Sequence, residues 1–310
     1  MAVLLLLGFA LVRVAGVVFG GGESTSTATA TGREEAKDEE KPDARPKPTE
    51  LPGGGRRIFP DRRVVAFYGN PADEELGALG IGTPDQAAAK LKKVAKSYER
   101  KSRPVLPCLE LITTVAAAAP GDDGKYRIQV PEKTIDKYYR AARKSGSLLL
   151  LDVQPGIATF PEEVRRLKKW LVKPDVGLAL DPEWRIQPGQ VPGKVIGSVT
   201  AEEVNNVSID LAALVKERNL PEKLFVIHQF TNDMIKNKRQ VKLRKGLATV
   251  FNVDGFGLPA AKISKYKDFT AATPKGAHDG FKVFFREDTN RMRPAAVMAL
   301  QPRPDLVVYE

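Results

Sequence analysis

Two carboxylates and a tryptophan directly follow the apolar run Val176–Leu180, in the order Asp181, Pro182, Glu183, Trp184. An apolar run this short, bounded by polar residues and proline, is typical of a strand buried on both faces of a parallel sheet. Because side chains alternate along a strand, Asp181 and Glu183 should project to the same side, about 7 Å apart at their Cα atoms. Two such carboxylates are costly to desolvate, so they favour acid–base chemistry or cation binding.

The elements that must position these acids alternate regularly from Ile58 to Glu310. Apolar runs predict eight strands, at residues 63–68, 105–111, 148–153, 176–180, 224–230, 247–253, 281–286 and 305–309. Helical spacing and capping signals predict seven helices between them, at 83–98, 131–144, 161–172, 200–218, 232–245, 259–269 and 294–300. This alternation predicts an α/β fold, a (β/α)₈ TIM barrel lacking the last helix. An open doubly wound sheet is the alternative, disfavoured because no G-x-G-x-x-G follows the first strand.

Chemistry in such barrels sits at the C-terminal ends of the strands. The predicted ends carry mainly carboxylates, with amides and aromatics between them: Tyr68, Asn70, Glu110, Asp152, Gln154, Asp181, Glu183, Trp184, His228, Gln229, Asn252, Asp254, Glu287, Tyr309 and Glu310. An acidic mouth of this composition suits a carbohydrate. Glycoside hydrolysis needs one carboxylic acid to protonate the leaving oxygen and a second carboxylate to attack or stabilise the anomeric carbon.

The sequence therefore predicts a glycosidase-like barrel with Glu183 as acid/base and Asp181 as its partner. Asp152, Asp254 or Glu287 is expected to supply the second carboxylate. The predicted substrate-binding residues are the remaining polar and aromatic side chains of the mouth: Tyr68, Asn70, Glu110, Gln154, Trp184, His228, Gln229, Asn252 and Tyr309. Burial and neighbouring negative charge should keep one carboxyl protonated as the acid.

The segment L-A-L-D-P-E-W resembles the D-x-E ending of strand four in family 18 chitinases and family 25 lysozymes. In those barrels the Glu is the general acid and the Asp assists it, which the resemblance places at Glu183 and Asp181. The longer chitinase pattern D-x-x-D-x-D-x-E is not met, because Val176 and Ala179 occupy its two earlier acidic positions. As a whole, the chain is similar to uncharacterised exported barrel proteins of bacteria.

Two other classes of function remain open. One is a non-catalytic barrel that binds a surface glycan or wall polymer. The other is a cation-dependent lyase or phosphodiesterase in which Asp152, Asp181 and Glu183 hold Mg²⁺ or Ca²⁺. The chain has only 2 histidines, which excludes a multi-histidine zinc or binuclear site, and no metal or cofactor is predicted.

The N-terminal part of the chain predicts location. Residues 1–20 form an apolar signal peptide or membrane anchor, and residues 21–57 a disordered linker rich in Thr, Pro and charge, ahead of a barrel domain at 58–310. We therefore expect an exported protein, extracellular or anchored at the cell surface, with a membrane contact through residues 1–20 if they are uncleaved. The formal net charge of +11 favours an anionic wall polymer or glycan partner. Nucleic acid is disfavoured because the basic segment 236–245 lacks interleaved aromatics.

Overall fold

The computed structural model describes residues 49–310, and their main element is a closed barrel of eight parallel strands. The strands are β1 (Arg63–Gly69), β2 (Val105–Ala116), β3 (Leu148–Val153), β4 (Val176–Leu180), β5 (Lys223–Gln229), β6 (Leu247–Val253), β7 (His278–Val283) and β8 (Leu306–Tyr309). Each strand pairs in parallel with the next along the chain, and β1 pairs with both β2 and β8. The predicted (β/α)₈ barrel is confirmed, and the open sheet is excluded.

Helices cover the outside of the barrel. They are α1 (Pro84–Ala95), α2 (Glu132–Ser145), α3 (Phe160–Arg166), α4 (Lys168–Leu171), α5 (Ala201–Glu217), α6 (Pro259–Thr270) and α7 (Pro294–Val297). The N-terminus of α1 carries the predicted capping box: the Thr83 side chain accepts from the Gln86 amide, and the Gln86 side chain accepts from the Thr83 amide. At α5 only half of that box forms, because the Glu203 carboxylate accepts from the Phe160 amide instead.

Alternation along the strands divides the apolar residues into two cores. Outward side chains such as Val65 and Leu151 pack under the helices in a large outer core. Inward side chains such as Ala66, Cys108 and Leu150 fill the lower part of the barrel in a second core. The barrel is therefore a packed interior below its C-terminal mouth, and the layer above this apolar plug is where polar side chains can meet.

Residues before the predicted domain boundary at 58 are already part of the folded domain. Leu51 is buried with Ile58 in the inner core, and Arg62 donates to the carbonyls of Pro52 and Gly53. Residues 49–57, which the sequence assigned to the linker, thus lie against the bottom of the barrel. The predicted apolar segment 1–20 and the rest of the linker lie outside the described residues. Within 49–310, no helix is both long and apolar enough to cross a membrane.

Two local predictions were wrong. The basic segment 232–245 forms no α-helix; it contains a two-residue strand, Ile235–Lys236, and a 3₁₀ turn, Lys238–Gln240, because the Lys238 ammonium is buried and donates to Gln229 and the Phe269 carbonyl. The seventh strand is His278–Val283 rather than 281–286. This shift moves its C-terminal end, and with it the residue that β7 contributes to the mouth.

Candidate functional site

A layer of polar and ionisable side chains closes the inner core at the C-terminal mouth. Each strand or the residue that follows it contributes: Tyr68, Glu110, Asp152, Asp181, His228, Asn252 with Asp254, Lys282 and Glu310. All except Glu310 are buried, and the Glu310 side chain is 22% exposed. Burying so many polar groups is expensive, so this layer is not accounted for by packing.

Tyr68 connects the acids of β3 and β4. Its hydroxyl lies 3.4 Å from Asp152 Oδ2 and 3.4 Å from Asp181 Oδ2, so these two carboxyl oxygens cannot be further apart than about twice that distance. Gln154 Nε2 donates to the same hydroxyl at 2.9 Å, while its own oxygen accepts from the Ala116 amide. Gln154 therefore positions Tyr68 rather than reaching into the mouth.

His228 lies among acids on several strands. Its Nε2 is 2.9 Å from Glu110 Oε1 and 3.8 Å from Asp152 Oδ1, and its Nδ1 is 3.3 Å from Asp254 Oδ2. Burial alone would lower the pKa of His228, but Glu110 and Asp254 raise that pKa well above its usual range. Asn252 Nδ2 also lies 3.2 Å from His228 Nδ1. The ring is thus held from both nitrogens.

Lys282 is the cation at the centre of the mouth. Its Nζ contacts Asp254 Oδ2 at 2.9 Å and Glu310 Oε2 at 2.5 Å, and it lies 3.8 Å from the centre of the Tyr68 ring. Burial opposes its charge, but Asp254, Glu310 and Asp181 raise the pKa of Lys282 well above its usual range. Burial would also raise the pKa of Asp254, yet Lys282 and His228 hold that pKa well below normal. Asp254 and Lys282 therefore form a charged pair.

The pKa values of other carboxyls of the mouth are raised rather than lowered. Burial, and then the charge of Asp181, raises the pKa of Asp152 well above its usual range. Burial also raises the pKa of Asp181, although His228 and Lys282 oppose it. For Glu183, burial followed by the charges of Asp181 and Asp254 raises the pKa well above normal. The mouth thus combines carboxyls that favour protonation with one, Asp254, that favours ionisation.

Glu183 does not continue the strand. The chain turns after Asp181 into a 3₁₀ turn, Pro182–Trp184, and the side chains of Glu183 and Trp184 are only partly buried. The Gly197 amide donates to the Glu183 carbonyl at 2.6 Å, and a Cβ at Gly197 would lie 2.6 Å from three carbonyl oxygens of this turn. Close packing of the following loop therefore fixes the backbone that carries Glu183 at the rim.

Besides Gln154, four predicted site residues do not reach the mouth. The Asn70 side chain binds the Ile112 carbonyl and the Ala72 amide, and Gln229 Oε1 accepts from Lys238 on the outer face. Tyr309 points into the outer core, where its hydroxyl lies 2.6 Å from the hydroxyl of Tyr98. Glu287 is exposed beside a rim cavity of ≈ 30 Å³, because β7 ends at Val283 and the chain has already left the barrel.

Lys282 was absent from the predicted site, although it stands between apolar residues in the run Phe281–Val283. A single lysine within an apolar strand, in a barrel whose other strands end in acids, indicates a cation in the barrel interior. Glu310 replaces Tyr309 as the inward residue after β8, because successive residues face opposite sides of the sheet. The structure brings together the other predicted acids, namely Glu110, Asp152, Asp181, Glu183 and Asp254.

Comparison with solved structures shows a likeness in fold. No protein-family model matches the chain, and no curated protein matches it. Among solved structures, the chain is similar to the spore coat polysaccharide biosynthesis protein SpsE from Bacillus subtilis, with 12% sequence identity and a TM-score of 0.43. The match covers 82% of this chain and 62% of SpsE, so the chain spans less than two thirds of that protein's length.

Proposed function

We propose that the barrel hydrolyses a glycosidic bond at its mouth, with Glu183 as the proton donor and Asp254 as the carboxylate that stabilises the anomeric carbon. The observation that carries this proposal is a pairing along the chain: each of these acids is followed at the rim by an aromatic side chain. Trp184, which is partly buried, is the next residue after Glu183, and Phe256, which is 43% exposed, comes two residues after Asp254. Sugar rings bind to aromatic faces beside such acids.

Glu183 has the environment of a general acid. The residue is partly buried at the rim, and the pKa of its carboxyl is raised by burial and by the nearby charges of Asp181 and Asp254. Both effects favour the protonated carboxyl, which is the form that can donate to a leaving oxygen. In the reaction this proton goes to the glycosidic oxygen and the bond from that oxygen to the anomeric carbon breaks. Water then supplies the hydroxyl that replaces the leaving group, and the proton that this water releases returns to the Glu183 carboxylate.

Asp254 has the environment of the second carboxylate. Its Oδ1 accepts from the Gly255 amide at 2.7 Å, and its Oδ2 accepts from Lys282 at 2.9 Å, an arrangement that fits an ionised group. A fixed carboxylate of this kind favours the positive charge that develops at the anomeric carbon. Of the three second carboxylates expected from the sequence, Asp254 is therefore the one assigned to this role. Glu287 is unsuited to it because it lies outside the mouth.

The test compares two glutamates of the rim. Wild type, Glu183→Gln and Glu287→Gln are incubated with purified wall polysaccharides, and new reducing ends are measured. We expect Glu183→Gln to lose at least a hundredfold in rate, in line with the 10²–10⁴-fold contribution of general acid–base catalysis. Glu287→Gln serves as the matched control and should keep full activity. Equal activity of wild type and Glu183→Gln would refute the assignment.

A binding barrel without catalysis is the competing outcome of the same experiment. If wild-type protein is retained on wall polysaccharide but releases no reducing ends over long incubation, the function is glycan binding and not hydrolysis. The proposal also places the protein outside the cytoplasm, because of the apolar sequence at 2–20. Cell fractionation tests this part independently, and recovery of all the protein in the cytoplasmic fraction would contradict it.

A further inference from the structure

Three side chains of the mouth converge in the spacing of metal ligands. Glu110 on β2, Asp152 on β3 and His228 on β5 each offer a ligand atom, and these atoms all lie within 4.8 Å of one another. All three residues are buried, with exposures of 0%, 0% and 1%. Strands β2 and β3 are neighbours, and β5 is separated from them by β4, so the barrel fold rather than a local motif assembles the three residues.

Two carboxylate oxygens in this cluster lack a hydrogen-bond partner. Glu110 Oε2 and Asp152 Oδ1 are fully buried and accept no hydrogen bond from any described residue. A buried carboxylate oxygen left without a donor costs several kcal/mol, so such atoms normally bind a proton, a donor or a cation. Their position beside His228 points to a ligand shared by all three groups.

Asp254 orients the histidine for this role. Asp254 Oδ2 lies 3.3 Å from His228 Nδ1, and Lys282 and the Gly255 amide hold Asp254 as a hydrogen-bond acceptor. A proton on Nδ1 that is donated to Asp254 leaves the lone pair of Nε2 directed at Glu110 and Asp152. A histidine whose other nitrogen donates to a carboxylate is the usual arrangement of metal ligands.

The distances suit a transition-metal ion. Ligand atoms that coordinate one cation at about 2.1 Å lie about 3 Å apart when they are adjacent in the coordination sphere. His228 Nε2 is 2.9 Å from Glu110 Oε1 and 3.8 Å from Asp152 Oδ1. A bound cation would displace the protons that His228 and Asp152 favour without it. The resulting neutral imidazole and two carboxylates would carry a charge of −2, which matches a divalent cation, and the nitrogen ligand favours Mn²⁺ or Zn²⁺ over Mg²⁺ or Ca²⁺.

We infer that Glu110, Asp152 and His228 bind one divalent transition-metal ion at the base of the mouth. The inference goes beyond glycoside hydrolysis and does not depend on it, since its evidence is the ligand geometry alone. It differs from the sequence-based expectation in two ways: a metal was not expected, and the cation-dependent alternative used Asp181 and Glu183 rather than Glu110 and His228.

The experiment measures metal binding by the full chain without any glycan. Protein freed of metal with EDTA and dialysed is titrated with MnCl₂, and free Mn²⁺ is followed by its electron paramagnetic resonance signal, with ZnCl₂ as a calorimetric comparison. We expect one equivalent per chain and at least tenfold weaker binding in Glu110→Gln and Asp152→Asn. Glu183→Gln, a rim carboxyl outside the ligand set, should bind metal like wild type, which separates this result from the loss of hydrolysis.

Wild-type protein alone keeps the proposal testable if the variants do not fold. Electron spin echo modulation of bound Mn²⁺ should show one coordinated imidazole nitrogen, and the melting temperature should rise with metal concentration. The proposal is overturned by any of three results: no binding by wild type at millimolar metal, bound Mn²⁺ without a nitrogen ligand, or equal affinity in wild type, Glu110→Gln and Asp152→Asn.

Discussion

Lys282→Met is the substitution that best tests the electrostatic design of the mouth. The Lys282 ammonium is 3% exposed and is shared by Asp254, which is 8% exposed, and Glu310, which is 22% exposed. Methionine keeps most of the length of the lysine side chain but leaves two carboxylates without their cation. Removing one partner of a buried ion pair costs about 3–5 kcal/mol, so we expect the free energy of unfolding to fall by about that amount at pH 8.

The loss should depend on pH in a defined direction. Burial raises the pKa of Glu310 to about 7 even with Lys282 present, and removal of the cation must raise it further. A carboxyl whose folded-state pKa exceeds its unfolded value stabilises the fold at low pH and loses that contribution as pH rises through the folded pKa. The deficit of Lys282→Met should therefore be smaller at pH 5 than at pH 8.

Urea unfolding followed by tryptophan fluorescence at pH 5 and pH 8 measures this difference. Lys262→Met is a matched control, because Lys262 also pairs with a buried carboxylate, Asp288, at 2.8 Å but lies outside the mouth. Both variants should be destabilised, whereas only Lys282→Met should also lose hydrolysis. A Lys282→Met protein as stable as wild type at pH 8 would refute the assignment of Lys282 as the central cation.

Three further predictions concern the scaffold. Tyr309→Phe should leave hydrolysis unchanged and lower the free energy of unfolding by about 1 kcal/mol, because Tyr309 binds Tyr98 outside the barrel; lost activity with intact stability would return Tyr309 to the site. Thr83→Ala should cost about 0.5–2 kcal/mol by removing the cap of α1, as measured by urea unfolding; no loss would contradict the capping geometry. Burial lowers the pKa of Lys223 to about 7, so the unfolded chain binds more protons than the folded chain above pH 7. Wild type should therefore gain stability relative to Lys223→Met between pH 7 and pH 10 in thermal melts, and parallel curves would contradict this.

The strands of the barrel could be predicted because each is a short apolar run bounded by turn residues. Three of the predicted strands, 148–153, 176–180 and 247–253, have the observed bounds of β3, β4 and β6. The basic segment 232–245 could not be predicted in the same way. Its conformation depends on a lysine that is buried by distant residues, and a local pattern does not contain that information.

The composition of the mouth was predictable, but which residue of each neighbouring pair faces inward was not. His228 and Gln229 were both expected in the site, and only one of two adjacent strand residues can point inside. In β8, the run 306–309 is apolar on both faces, so nothing in it distinguishes an inward Tyr309 from an inward Glu310. Closure of the barrel decides which of two adjacent residues points inward, and closure depends on all eight strands together.

The most direct measurement of the proposed acid uses substrates that do not need one. Wild type and Glu183→Gln are compared on a panel of glycosides with dinitrophenyl leaving groups and on the unactivated polysaccharides. If Glu183 protonates the leaving oxygen, the variant should lose at least a hundredfold on polysaccharide yet retain near wild-type rates on a dinitrophenyl glycoside. Equal losses on both substrates, or no cleavage of either by wild type, would contradict the account.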